Sequence, residues 1–117
     1  MFAVVRAWGG IKDWLSATLH LSHAMLHIHV GLAVYLISAR LMRRRLGSVG
    51  PVLMVLGLEV LNEGCDIARY WLSDWPWTPA ATVGDLANTL AWPVIITLYC
   101  RARNNVDQAA ATGEPQA

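Results

Sequence analysis

Three long apolar stretches separated by short polar connections organise the chain: about Ala17 to Met42, Pro51 to Leu72 and Gly84 to Cys100. A helix needs about 20 residues to cross a hydrocarbon core of about 30 Å, and each stretch meets or approaches that length. None carries the wide polar stripe that a helix of a water-soluble bundle presents to solvent. The pattern predicts an all-α, polytopic membrane protein with three transmembrane helices over 17–42, 51–72 and 84–100, in one domain spanning 17–103. Pro51 falls where the first turn of a helix accepts proline. Pro93, inside the third stretch, removes a backbone donor and predicts a kink.

The flanks have a different pattern. Residues 1–16 place Val4, Trp8, Ile11 and Leu15 on one helical face, with Arg6, Lys12 and Asp13 largely on the other. That periodicity predicts a short N-terminal amphipathic helix lying on the membrane surface, interrupted at Gly9-Gly10. The same residues lack a basic start followed by an unbroken apolar run, so no cleavable signal peptide is expected. Residues 104–117 are polar and Ala-rich, and they are expected to form a disordered tail.

Composition and charge refine this picture. The 117 residues are 56% hydrophobic and 15% charged, whereas a soluble domain carries about 25% charged residues. A net charge of +1 leaves no electrostatic footprint for nucleic acid. Arg40, Arg43, Arg44 and Arg45 crowd the first connection, and Arg101 and Arg103 follow the third stretch. Lys and Arg collect on cytoplasmic flanks, and three spans place both regions on one side. The expected topology is therefore N-terminus periplasmic and C-terminus cytoplasmic, in an inner membrane of the bacterial type. The connection around Trp71, Asp74, Trp75 and Trp77 is then periplasmic. Its rings fit an interfacial belt or, more sharply, a cap on a ligand pocket. Cys65 and Cys100 fall at different depths and are expected to stay unpaired.

Ionisable groups within spanning helices are costly and mark function by default. The first span carries His20, His23, His27 and His29; the second carries Glu59, Asn62, Glu63, Asp66 and Arg69; the third opens with Asp85 and Asn88. His20, His23 and His27 share a helical face, as do Glu59, Asn62, Glu63 and Asp66. At about 1.5 Å of rise per residue, His27, Glu63 and Asn88 fall on one level. His23, Asp66 and Asp85 fall about 5 Å nearer the periplasm, and Glu59 lies one turn below. Lipid cannot satisfy such faces, so they are expected to meet in one cluster: His23, His27, Glu59, Asn62, Glu63, Asp66, Arg69, Asp85 and Asn88.

Three chemistries compete for that cluster. It can be interhelical hydrogen-bond glue. It can be a site for a polar ligand, a lipid headgroup or a proton, with Arg69 either clamping a phosphate or carboxylate or merely snorkelling to the surface. It can be a metal site built on His23, His27, Glu63 and Asp66, since imidazole and carboxylate suit zinc or iron. No HExxH-type motif is present, and no resident cofactor is expected.

At these residues the chain resembles VanZ-like membrane proteins, a family linked to glycopeptide (teicoplanin) resistance. In that family a His-containing helix leads to a basic loop. A helix with an acidic residue and a Gln three later follows, then an Arg and an Asp–Asn helix start. Between His23 and Trp92, comparable places are held by His27, the Arg43-Arg44-Arg45 loop, Glu59, Asn62, Arg69, Asp85 and Asn88. Asn62 stands for the Gln, Asp85 and Asn88 are three apart where the family usually has four, and Leu90-Ala91-Trp92-Pro93 replaces the trailing glycines. The family generally has more spans. The resemblance implies an envelope membrane protein and brings no established reaction with it.

These readings lead to a small inner-membrane protein, non-enzymatic or marginally enzymatic, that engages an envelope lipid or lipid-linked ligand from the periplasmic side. One alternative is an accessory subunit that packs against a larger membrane complex or self-associates. Another is a metal- or proton-handling membrane protein. The expected partners are membrane lipids in the first case and protein subunits in the second, with nucleic acid in none.

Overall fold

The structure, a computed structural model, describes residues 1–74 and 76–113. Four helices follow one another: α1 Phe2–Leu19, α2 His23–Leu41, α3 Val49–Ser73 and α4 Pro79–Thr112. No strand occurs among the described residues. Trp75 of the predicted belt and residues 114–117 of the predicted tail lie outside the described residues.

Local chemistry sets the boundaries. The first apolar stretch, expected as one helix over 17–42, is divided. His20 adopts a left-handed φ of 52° and ends α1, and Ser22 caps α2 by accepting a hydrogen bond from the Met25 N–H at 3.2 Å. A short polar side chain at that position satisfies one of the free amides of the first turn, which is why the new helix starts there. The Gly9-Gly10 interruption does not occur, and α1 runs through it unbroken. Gly9 instead makes room for a neighbour, because a Cβ there would sit 2.5 Å from Arg69 Nη1. Pro79 opens α4, a place where proline lacks no needed donor. The predicted disordered tail is also corrected, since α4 continues to Thr112. Ala102 and Ala109–Ala111 are strong helix formers, and they carry the helix through the polar residues. Pro93 lies inside α4 with its ring fully buried.

α2, α3 and α4 pack on one another, and α1 lies against α3. The molecule is a rod of 62 × 28 × 27 Å. α2 and α4 approach closely at Gly31, where an added Cβ would run into the Thr89 carbonyl oxygen. Two side-chain contacts bracket that crossing. On one side His27 meets Thr89. Eight residues further along both helices, the Tyr35 hydroxyl donates to the Leu46 carbonyl at 2.7 Å and lies 2.7 Å from Thr97 Oγ1.

The distribution of burial is inverted relative to a soluble bundle. Val5, Leu26, Tyr35, Ala39 and Val55 are the buried hydrophobic residues, while Lys12, His27, Ser38, Glu59, Glu63, Thr89 and Thr97 are buried as well. Leu36, Ile37, Leu53, Leu61, Ile95 and Leu98 point outward and are exposed, together with many other large apolar side chains. α2 and α4 are long and apolar enough to cross a membrane. α3 is 25 residues long but is not among these helices, and it carries Glu59, Glu63, Asp66 and Arg69.

Candidate functional site

The polar interior begins where α1 crosses the second half of α3. Trp8 Nε1 donates to Asn62 Oδ1 at 2.9 Å. The same oxygen accepts from Lys12 Nζ at 3.2 Å, and Lys12 also forms an ion pair with Asp66. Arg69 Nη2 donates to Asp13 Oδ2 at 2.8 Å. Asn62, Asp66 and Arg69 recur at helical spacing, so one edge of α3 meets α1 through polar side chains. Lys12 is the only lysine of the chain and is 8% exposed. The amphipathic pattern puts it on the polar face of the N-terminal helix, away from the three spans. Its signal was the surplus of carboxylates on α3, which needs a cation from outside the three predicted spans.

Deeper in the bundle, His27 stands at the meeting of three helices. Its Nδ1 is aligned for a hydrogen bond with the Thr89 hydroxyl at 3.1 Å. Glu59 Oε1 lies 3.0 Å from the same nitrogen but off the hydrogen-bonding direction, and it has no hydrogen-bond partner among the described residues. On the other edge of the ring, Nε2 is 3.7 Å from Asp85 Oδ2. Glu63, one turn beyond Glu59 on the same face of α3, completes the group, and its Oε1 is likewise buried without a partner among the described residues. His27, Glu59 and Glu63 are 8%, 6% and 6% exposed. Ligand atoms from these three residues lie within 4.8 Å of one another. A buried carboxylate oxygen with no donor costs about 1–3 kcal/mol or more, so two side by side form an unstable arrangement unless something positive joins them.

Seven of the nine residues singled out from sequence fall into two groups. His27, Glu59, Glu63 and Asp85 come together. Asn62, Asp66 and Arg69 form the junction with α1. His23 stands away from both, with its side chain 59% exposed and Nε2 3.9 Å from Asp13 Oδ1. Asn88 is partly buried, and its neighbour Thr89 is the residue that reaches His27. The predicted level of His27, Glu63 and Asn88 is therefore corrected in two ways: Thr89 takes the place of Asn88, and Glu59 stands beside His27 rather than a turn below. The close approach of α2 and α4 at Gly31 sets that register. The four metal candidates His23, His27, Glu63 and Asp66 are also separated, because Asp66 pairs with Lys12.

Two cavities border the cluster. One, of about 570 Å³, has charged side chains in its wall and is lined by Lys12, Asp13, His23, Asp66, Arg69 and Asp85 among others. The second, of about 320 Å³, runs between α1, α2 and α3; Ile11, Leu15, Leu26, Val30, Val34 and Leu58 give it an apolar wall. Lys12 belongs to the walls of both. Asp85 reaches the cluster from the first cavity, and His27 and Glu59 reach it from the second. Cys65 and Cys100 are free thiols, as expected. No protein-family model, curated protein or solved structure matches the chain.

Proposed function

We propose that the chain is an integral membrane protein, with α2, α3 and α4 as its spans, that binds an amphipathic lipid or lipid-linked ligand from the periplasmic side. The observation that carries this reading is the pair of cavities meeting at Lys12, one with charged side chains in its wall and one apolar. Their volumes fall in the range of about 300–1,000 Å³ usual for small-molecule sites. A ligand with a charged headgroup and a hydrocarbon tail matches that shape. The head would lie among Lys12, Arg69 and their carboxylate partners, and the tail along Val30 and Val34.

The membrane assignment rests on the inverted burial. Outward-facing leucines and isoleucines find their solvent in lipid, while polar side chains turn inward because hydrocarbon offers them no hydrogen bonds. α3 is admissible as a span on this reading, since Glu59 and Glu63 are buried while Leu53, Val60 and Leu61 face outward. Of the residues that carry the VanZ-like resemblance, His27, Glu59, Asn62, Arg69 and Asp85 line the two cavities, while the Arg43-Arg44-Arg45 loop and Asn88 do not.

Gentle extraction followed by native mass spectrometry tests the reading. The wild-type chain is expected to retain one lipid, and Val30→Trp, which fills the apolar cavity, to lose it while keeping its helix content. Cysteine introduced at Asp74 is expected to label from the periplasm, and at Asp107 only from the cytoplasm. Lipid retention unchanged by Val30→Trp would remove the ligand reading. Labelling from the opposite sides would remove the topology.

A further inference from the structure

We propose that His27, Glu59 and Glu63 form a binding site for one divalent transition-metal ion, with Asp85 orienting the imidazole. The site is already two-thirds carboxylate: Glu59 Oε1, whose near neighbour is the His27 ring at 3.0 Å, and Glu63 Oε1 are buried and have no hydrogen-bond partner among the described residues. All three side chains are more than nine-tenths buried, so they are not an exposed acidic patch neutralised by water. Their ligand atoms lie within 4.8 Å of one another. Donors about 2.1 Å from a shared ion stand about 3.4 Å apart in a tetrahedral arrangement, so closure requires movements of about 1 Å.

The histidine is presented as a ligand should be. Nδ1 lies 3.0 Å from Glu59 Oε1 and Nε2 lies 3.7 Å from Asp85 Oδ2. With the ion on Nδ1, the proton resides on Nε2 and is donated toward the Asp85 carboxylate. A carboxylate behind a ligating imidazole fixes its tautomer and ring orientation. The ion then replaces the Nδ1 contact with Thr89, whose hydroxyl remains beside the site. One imidazole with two carboxylates selects zinc, manganese or ferrous iron over softer ions. This set differs from the combination of His23, His27, Glu63 and Asp66, because the structure directs His23 to Asp13 and Asp66 to Lys12.

The ion site is independent of the lipid reading. A chain that holds metal and no lipid overturns only the latter, and a chain that holds lipid and no metal overturns only the former. The test uses the full chain in detergent micelles, stripped with a chelator, dialysed and titrated with Zn²⁺ and with Mn²⁺ by calorimetry. Elemental analysis after gel filtration gives the stoichiometry. One equivalent per chain is expected. Glu59→Gln and Glu63→Gln are each expected to weaken binding by more than about 100-fold, and Asp85→Asn by the smaller factor of about 10–100 that follows loss of a supporting group. His23→Ala is expected to leave the affinity unchanged. No stoichiometric binding by the wild type, which a proton shared between the two glutamates would produce, overturns the proposal. So does binding that survives both Gln substitutions or that His23→Ala abolishes. Should a Gln variant fail to fold, Co²⁺ on the wild-type chain serves instead: intense visible bands of a four- or five-coordinate ion support the site, and the weak bands of aqueous Co²⁺ overturn it.

Discussion

α2 and α4 touch through polar side chains at two levels, and the two contacts are built differently. At Tyr35 the accounting closes: one hydroxyl donates to the Leu46 carbonyl and meets the Thr97 hydroxyl, and Tyr35 is 0% exposed. At His27, two turns away, acceptors outnumber donors, and two buried carboxylate oxygens have no partner among the described residues. Helix association in lipid needs only contacts of the first kind. A surplus of buried acceptors contributes nothing to packing, and it persists only where something other than stability retains it. The contrast separates a fastening from a site within one pair of helices.

The hardest test of this distinction removes both contacts together. Gly31 lies between the two levels, and Gly31→Leu is expected to push α2 from α4 and cost about 1–3 kcal/mol, the usual penalty of overpacking. Unfolding in mixed micelles reads the loss. An unchanged midpoint would mean that the helices do not meet there. Next in size is Tyr35→Phe. It leaves the Leu46 carbonyl and the Thr97 hydroxyl without their shared partner, and it is expected to destabilise by about 1–2 kcal/mol. The lipid and metal affinities of the His27 cluster should remain at the wild-type values. A variant that lost binding in proportion to stability would show that the two levels are not separable.

The smallest expected effect has the opposite sign. Glu63→Gln replaces a buried, unpartnered carboxylate by a neutral amide of the same shape. The metal-free chain is expected to gain stability by a few tenths of a kcal/mol or stay level, on the scale of about 0.6 kcal/mol for an average interhelical polar contact. Measured in the absence of metal, a loss of several kcal/mol would show that Glu63 is a fastening after all. The gain sought here is the usual mark of a residue kept for function at the expense of stability.

Much of the helical framework could be read from the sequence, because hydropathy and breakers act along the chain. The second apolar stretch, 51–72, lies within α3, whereas Glu59, Asn62, Glu63 and Asp66, which spacing gathers on one face, divide between the His27 cluster and the junction with α1. What could not be read is contact between helices. The amphipathic pattern of α1 fits a membrane surface and a partner helix equally well, and only the positions of Asp66 and Arg69 show that Lys12 and Asp13 face a partner. Spacing puts His23 on the same face as His27, yet His23 stands at the first position of α2, where its side chain is 59% exposed and its charged neighbour is Asp13 of α1. The exchange of Asn88 for Thr89 follows from the closeness of α2 and α4 at Gly31, a relation between two helices that no periodicity within one contains. The left-handed turn at His20 was hidden by the apolar residues around it.

The inverted burial has a thermal consequence. Water-soluble domains owe their curved stability profile to apolar surface that becomes hydrated on unfolding, which contributes a heat-capacity increment of about 12–15 cal/mol/K per residue. If the chain spans a membrane as proposed, its exposed leucines and isoleucines face hydrocarbon in the native state and still face it when the helices separate within the bilayer. That increment then has almost no source. The enthalpy and entropy of helix separation stay nearly constant with temperature, the stability of the bundle changes almost linearly on heating, and cooling brings no second unfolding transition.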